Sequence, residues 1–183
     1  MRRHHPRARR NPIIIAAFLG LAVLVWILVI LFAPSEKDHV AAINQTVDEF
    51  HRAAAQADLE RYFDLLTNDA RFLGTDESER WPKPEFRAYC VDRGAFNEAP
   101  AWVYTPESRV VTLSPTRDAA WFDENLTNER YGRLRGSGVL VLEHGVWKIA
   151  QYNLTFLVPN DKSAAVVAVI REPADAADQD QPE

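Results

Sequence analysis

From Ile13 to Ala33 the chain runs 21 residues without a charge. At about 1.5 Å of rise per residue, a helix of that length spans the roughly 30 Å hydrocarbon core of a bilayer. No polar face interrupts the run, as one would on a helix packed into a soluble core. The expectation is a transmembrane helix over 13–33, preceded by a basic stub over 1–12. Arg2, Arg3, Arg7, Arg9 and Arg10 stand before the run, and Glu36 and Asp38 outnumber Lys37 behind it. The positive-inside rule then puts the N-terminus in the cytoplasm and the remainder in the periplasm or outside the cell, as a single-pass protein. A cleaved signal peptide is the alternative, but its apolar stretch usually runs about 7–15 residues, and Leu31-Phe32-Ala33 before Pro34 is a poor small-x-small site. The pair Arg9-Arg10 also allows twin-arginine export, on weaker grounds.

The net charge is −5, and removing the five stub arginines leaves residues 34–183 at −10. That is the opposite of a nucleic-acid binder's basic footprint, so no nucleic-acid partner is expected. Cys90 is the only cysteine, which excludes an intramolecular disulfide and a thiolate metal cluster and leaves a disulfide-linked dimer open. The five histidines show no paired-ligand spacing, and no metal is expected. There is no G-x-S-x-G elbow, phosphate-binding loop or dinucleotide fingerprint, and no cofactor is expected.

Behind the apolar run, Ser35 and Asp38 suit a variant capping box. Val40, Ile43, Val47, Phe50 and Ala54 then recur at three- and four-residue steps, which predicts an amphipathic helix. His51 falls on its flank and is assigned no role. Asp58 can cap a second helix carrying Leu59, Tyr62, Phe63 and Leu66, broken at Thr67-Asn68-Asp69 before the apolar stretch Ala70 to Leu73. Pro84 suits the first turn of a third helix, with Phe86, Tyr89 and Cys90 on its apolar stripe and Gly94 at its end.

From Trp102 onward the period becomes extended, over 102–105, 109–113, 119–125, 131–142 and 146–158, with turn signals between. Helices first and strands afterwards predict an α+β domain over 38–161. Its three N-terminal helices pack on a curved antiparallel sheet, forming a cone with an internal pocket. Gly132, Gly136 and Gly138 are candidate sites of a bulge or close approach. Alternation on the last strand puts Trp147, Ile149, Gln151, Asn153 and Thr155 on one face and Lys148, Ala150, Tyr152, Leu154 and Phe156 on the other. Neither face is plainly solvated, which predicts a homodimer. Residues 162–183 read as a weak helix and a solvated acidic tail.

Four ordered stretches resemble the SnoaL-like branch of the nuclear transport factor 2-like superfamily. They are Leu73-Gly74-Thr75-Asp76 with Glu79-Arg80-Trp81, then Ala120 to Glu124, Arg135 to Leu140, and Trp147 to Tyr152. The likeness covers roughly Ala41 to Asp161. It implies a conical domain with a pocket between helices and sheet, often dimerised through the sheet's outer face. It does not imply one activity, since the superfamily includes cyclases, isomerases, dehydratases and epoxide hydrolases beside binding and assembly domains. This chain departs from the family pattern between Tyr89 and Trp102 and at Leu157.

Glu124 and Arg135 lie in apolar strand contexts, where an unpaired charge costs several kcal/mol. One reading makes Glu124 a desolvated general base of raised pKa, with Arg135 holding an anionic group of the ligand. The other has the two pair with each other across neighbouring strands. Asp76 and Glu79 can reach the pocket mouth or cap a local turn, Trp81 can roof the cavity or fill the core, and Trp121, Trp147, Gln151 and Asn153 can supply an apolar wall with polar points for a small, partly hydrophobic ligand. The function expected is binding of a small molecule or a partner protein by a membrane-anchored domain. A cofactor-free isomerase, dehydratase or cyclase using a carboxylate base, and an assembly domain of a cell-envelope complex, are the alternatives.

Overall fold

The computed structural model describes residues 33–171, with Leu24 and Trp26 ahead of them. The chain divides into two compact units, Met1–Asp38 and His39–Glu183. In the first, Asp38 N donates to Ser35 Oγ (3.3 Å) and Ser35 N to Asp38 Oδ2 (2.8 Å), a reciprocal cap. Helix α1, Glu36–Ala55, follows it.

In the second unit α1 is succeeded by α2 (Leu59–Asp64), β1 (Leu66–Leu73), β2 (Arg80–Pro82), α3 (Lys83–Asp92), β3 (Thr105–Leu113), β4 (Ala119–Asn128), β5 (Gly132–Glu143) and β6 (Val146–Phe156). A 3-10 turn, Asn160–Lys162, and α4, Ser163–Arg171, come last. Asp58 caps α2 by accepting from Arg61 N at 3.0 Å. The strands form one sheet in the order β2-β1-β6-β5-β4-β3. All neighbours are antiparallel except β1 and β6, which run parallel. Ile43, Val47, Phe50 and Ala54 of α1 share one core with Phe122, Leu126, Leu134, Leu140 and Ile149 of the sheet. That stripe, rather than helix propensity, supplies most of what holds α1 in place.

Several expectations are corrected. The three helices do not precede the sheet: α3 follows β1 and β2. Thr67, Asn68 and Asp69, which read as a helix breaker, lie inside β1, where Thr67 is buried and its hydroxyl donates to Asp69 Oδ1 at 2.8 Å. Nor is the sheet wholly antiparallel, because the crossover from β1 to β6 brings those two strands side by side in one direction. The expected transmembrane helix and the topology drawn from it are also corrected. Among the described residues no helix is long and apolar enough to cross a membrane. The stretch 13–33 lies, apart from Leu24, Trp26 and Ala33, outside the described residues, as do the stub and the acidic tail.

The two faces of β6 also differ from simple alternation. The β5 to β6 register shifts between Val139 and Leu140, whose partners are Gln151 and Ile149. The extra residue, Ala150, reverses the parity, so Trp147 and Ile149 before it and Tyr152 and Leu154 after it are all buried on the inner face.

Candidate functional site

Between the helices and the inner face of the sheet lies a cavity of about 350 Å³. Its wall is aromatic. Phe50 and Tyr62 come from the first two helices, Phe72 from β1, Trp81 from β2, Phe86 and Tyr89 from α3, Trp102 and Tyr104 from the following loop, and Tyr152 from β6. Several rings stack on one another. Phe72 and Phe86 lie 4.0 Å apart at 12°, Phe50 and Tyr62 at 4.2 Å, and Trp81 and Tyr89 at 4.6 Å. Thr75, Glu79, Asn128, Arg130 and Tyr131 add polar atoms to the lining. His51 completes it.

Behind His51 sits Glu124, only 1% exposed. Its Oε1 lies 2.7 Å from His51 Nε2 and accepts from Tyr152 Oη at 3.1 Å. Its Oε2 accepts from Arg109 Nε at 2.9 Å, with Arg109 Nη2 at 2.8 Å. The remaining guanidinium nitrogen of Arg109, Nη1, reaches Asp48 Oδ1 at 2.8 Å and Asn44 Oδ1 at 3.2 Å. β3 and β4 place Arg109 opposite Glu124, and β4 and β5 place Glu124 opposite Gly136. Gly136 has no side chain to obstruct the cluster. A Cβ there would stand 2.4 Å from Tyr152 Oη and 2.8 Å from Glu124 Oε1.

Burial pushes the Glu124 carboxyl up, but the hydrogen bonds and charges of His51 and Arg109 outweigh it and hold the group below its ordinary value. Burial and the neighbouring Glu124 charge raise the Tyr152 phenol well above its ordinary value. Burial, reinforced by Tyr131 and Glu79, pushes Tyr104 up to about 12. Both phenols therefore keep their protons through the neutral range.

The residues singled out in the sequence fall in different places. Trp81 lines the cavity. Glu124 faces inward but is covered by His51 and Tyr152, and its partners are His51 and Arg109 rather than Arg135. Its pKa is lowered, not raised. Arg135 is exposed on the opposite face, within 3.4 Å of Asn125 Oδ1. Trp121 and Gln151 are exposed on that same outer face and Asn153 is half-buried there, as inward-facing Phe122, Glu124, Tyr152 and Leu154 require of their chain neighbours. Trp147 faces inward, but its Nε1 donates to His39 Nδ1 at 3.3 Å, away from the cavity lining. Asp76 is exposed and accepts from Ser78 N at 2.9 Å within its own turn. Among the described residues no group of three or more histidine, cysteine, aspartate or glutamate side chains could hold a metal ion.

Motif and spacing alone do not single out His51, Arg109 or Tyr152. A signal existed for His51: it lies four residues after Val47 and eight after Ile43, on the stripe that α1 buries. Arg109 had none, because its role depends on an alignment across two strands.

A model of the SnoaL-like domain matches residues 43–159. No curated protein matches the chain. Among solved structures, a protein of unknown function from the DUF3225 family of Pectobacterium atrosepticum superposes with a TM-score of 0.56 at 17% identity, over 66% of this chain and 92% of that one. An NTF2-like protein from Cytophaga hutchinsonii gives 0.54 at 18% identity, over 68% and 100%. Another, of unknown function, from Pseudomonas putida gives 0.53 at 12%, over 67% and 89%. At such identities the solved structures speak for the NTF2-like fold alone. The match over residues 43–159, together with the cone they build, makes this chain a member of the SnoaL-like domain family.

Proposed function

We propose that the domain binds a small, largely apolar molecule within the cone. The observation that carries this reading is the cavity itself. About 350 Å³ of space falls in the ordinary range for ligand pockets, roughly 300–1,000 Å³, and rings that could have closed on one another leave it open. Aromatic walls favour a flat, unsaturated ligand through stacking and edge contacts. The test is titration with naphthalene-sized bicyclic aromatics, followed by NMR on the indole N–H groups. Trp81 and Trp102 should shift and saturate, and Trp121, on the outer face, should not. Absence of saturable binding by any such probe would remove the reading.

A second reading adds turnover. His51, oriented by a carboxylate behind it, has the arrangement of a general base or acid, and such a group contributes typically 10²–10⁴-fold to a proton transfer. Glu124 then positions His51 and does not itself meet the ligand. A cofactor-free isomerase or dehydratase would need no more than this. His51→Gln should abolish turnover of any substrate found while leaving affinity within a few fold; unchanged turnover would leave the binding reading alone.

A further inference from the structure

We infer that the ligand of this cavity carries a hydrogen-bond donor, an O–H or N–H group, which it presents to Nδ1 of His51. The inference rests on the binding reading above and adds what the occupant must look like.

An ionised carboxylate only accepts hydrogen bonds, so every polar neighbour of Glu124 must donate. Arg109 meets Oε2 with Nε at 2.9 Å and Nη2 at 2.8 Å, and a guanidinium is always protonated. Tyr152 donates its hydroxyl to Oε1 at 3.1 Å. His51 Nε2, at 2.7 Å from the same oxygen, must then carry a proton, since two lone pairs facing each other at that distance would repel. In a neutral imidazole the proton at Nε2 leaves the lone pair at Nδ1.

Nδ1 makes no hydrogen bond to any described residue. Among the described residues the one side-chain nitrogen or oxygen that is sealed from solvent without a hydrogen bond is Arg109 Nη2, which faces Glu124 off the hydrogen-bond line. His51 Nδ1 is therefore open, in a side chain that borders the cavity. The Tyr62 and Tyr104 hydroxyls, also without partners among the described residues, can rotate to donate or accept and so do not discriminate between ligands. In the neutral ring Nδ1 can only accept, because Glu124 fixes the tautomer. A ligand acceptor against it would set two lone pairs facing each other, and the loss of one such bond weakens binding about tenfold.

The experiment compares three probes on the full chain at pH 8: 2-naphthol, 2-methoxynaphthalene and 2-naphthoate. Long-range proton–nitrogen NMR on histidine-labelled protein reads the His51 tautomer alongside. The expected result is a proton at Nε2, with 2-naphthol binding at least about tenfold tighter than its methyl ether, and that gap closing in His51→Phe. Equal affinity for 2-naphthol and the ether overturns the inference and leaves the pocket reading standing. A preference for 2-naphthoate, or a proton at Nδ1, also overturns it. Failure of all three probes to bind removes both readings together. Should His51→Phe not fold, the probe comparison and the tautomer on the unaltered protein decide alone.

Discussion

His51 Nε2 lies 2.7 Å from Glu124 Oε1 across 73 residues of sequence, and Arg109 holds the other carboxylate oxygen of the same glutamate. The ring that borders the cavity is thus fixed from behind by a buried charge, and that charge is fixed in turn by a cation whose far side reaches Asp48. Removing one partner from such a cluster leaves the rest uncompensated. Glu124→Gln should cost about 3–5 kcal/mol of unfolding free energy, read from urea denaturation. A loss below about 1 kcal/mol would mean that the buried cluster contributes little.

Acid should act through the same residue. The folded-state carboxyl of Glu124 is depressed, so its stabilisation is complete above the unfolded value of about 4.3 and is lost as pH falls through the lower folded value. The urea midpoint should drop in that window, and Glu124→Gln should flatten the drop. Parallel profiles for the two proteins would assign the acid sensitivity elsewhere.

Gly136→Ala adds a single methyl group at a point with no room for it, 2.4 Å from Tyr152 Oη and 2.8 Å from Glu124 Oε1. Overpacking of this kind costs typically about 1–3 kcal/mol. The variant should unfold at lower urea and bind aromatic probes more weakly, because the displaced atoms are those that set His51. Wild-type stability and binding together would contradict the packing described.

The outer face of the sheet predicts self-association. Val110, Trp121 and Val139 are 61%, 50% and 36% exposed, and Trp121 and Val139 stand opposite each other on β4 and β5. Asp123 and Arg135 share that face with opposite charges, an arrangement that a two-fold axis can satisfy reciprocally. Sedimentation velocity should show a dimer that Trp121→Asp converts to a monomer. A monomeric parent at high concentration would refute it.

Cys90 is fully buried, and burial pushes its thiol up to about 12. Since the thiolate is the reactive form, a disulfide reagent such as dithionitrobenzoate should label Cys90 only at the rate of unfolding. Fast labelling of the native chain would show that the helix α3 opens locally.

The cone's elements were largely legible, because periodicity survives wherever an element buries one continuous face: Ile43, Val47 and Phe50 mark α1, and alternation marks β4. What was not legible depended on breaks in that regularity. Thr67-Asn68-Asp69 has the composition of a turn and falls in the register shift of β1 against β6, between the pairs Leu66–Ile149 and Arg71–Gln151, so the strand runs on through an irregularity that composition reads as a break. On β6 the bulge at Ala150 exchanges the faces midway, so strict alternation groups Gln151 and Asn153 with Trp147, whereas Tyr152 and Leu154 share its face. The site suffered most from this, since Glu124 could be suspected alone but not matched to Arg109 and His51. Three elements must be aligned before that cluster exists.

The sheet order has a consequence for how the chain reaches this state. β6, the last strand among the described residues, occupies the third place in the sheet, between β1 and β5. Until residues 146–156 are in place, β3, β4 and β5 can form a meander on which α1 already has partners in Arg109 and Glu124, but no strand joins that meander to the hairpin of β1 and β2. The cavity, whose wall draws on α1, β1, α3 and β6, is therefore assembled through contacts between distant parts of the chain, and folding dominated by such contacts is slow. A chain that ended before Val146 would lack Tyr152 and Leu154 of the cavity wall, together with the one strand that joins the hairpin to the meander.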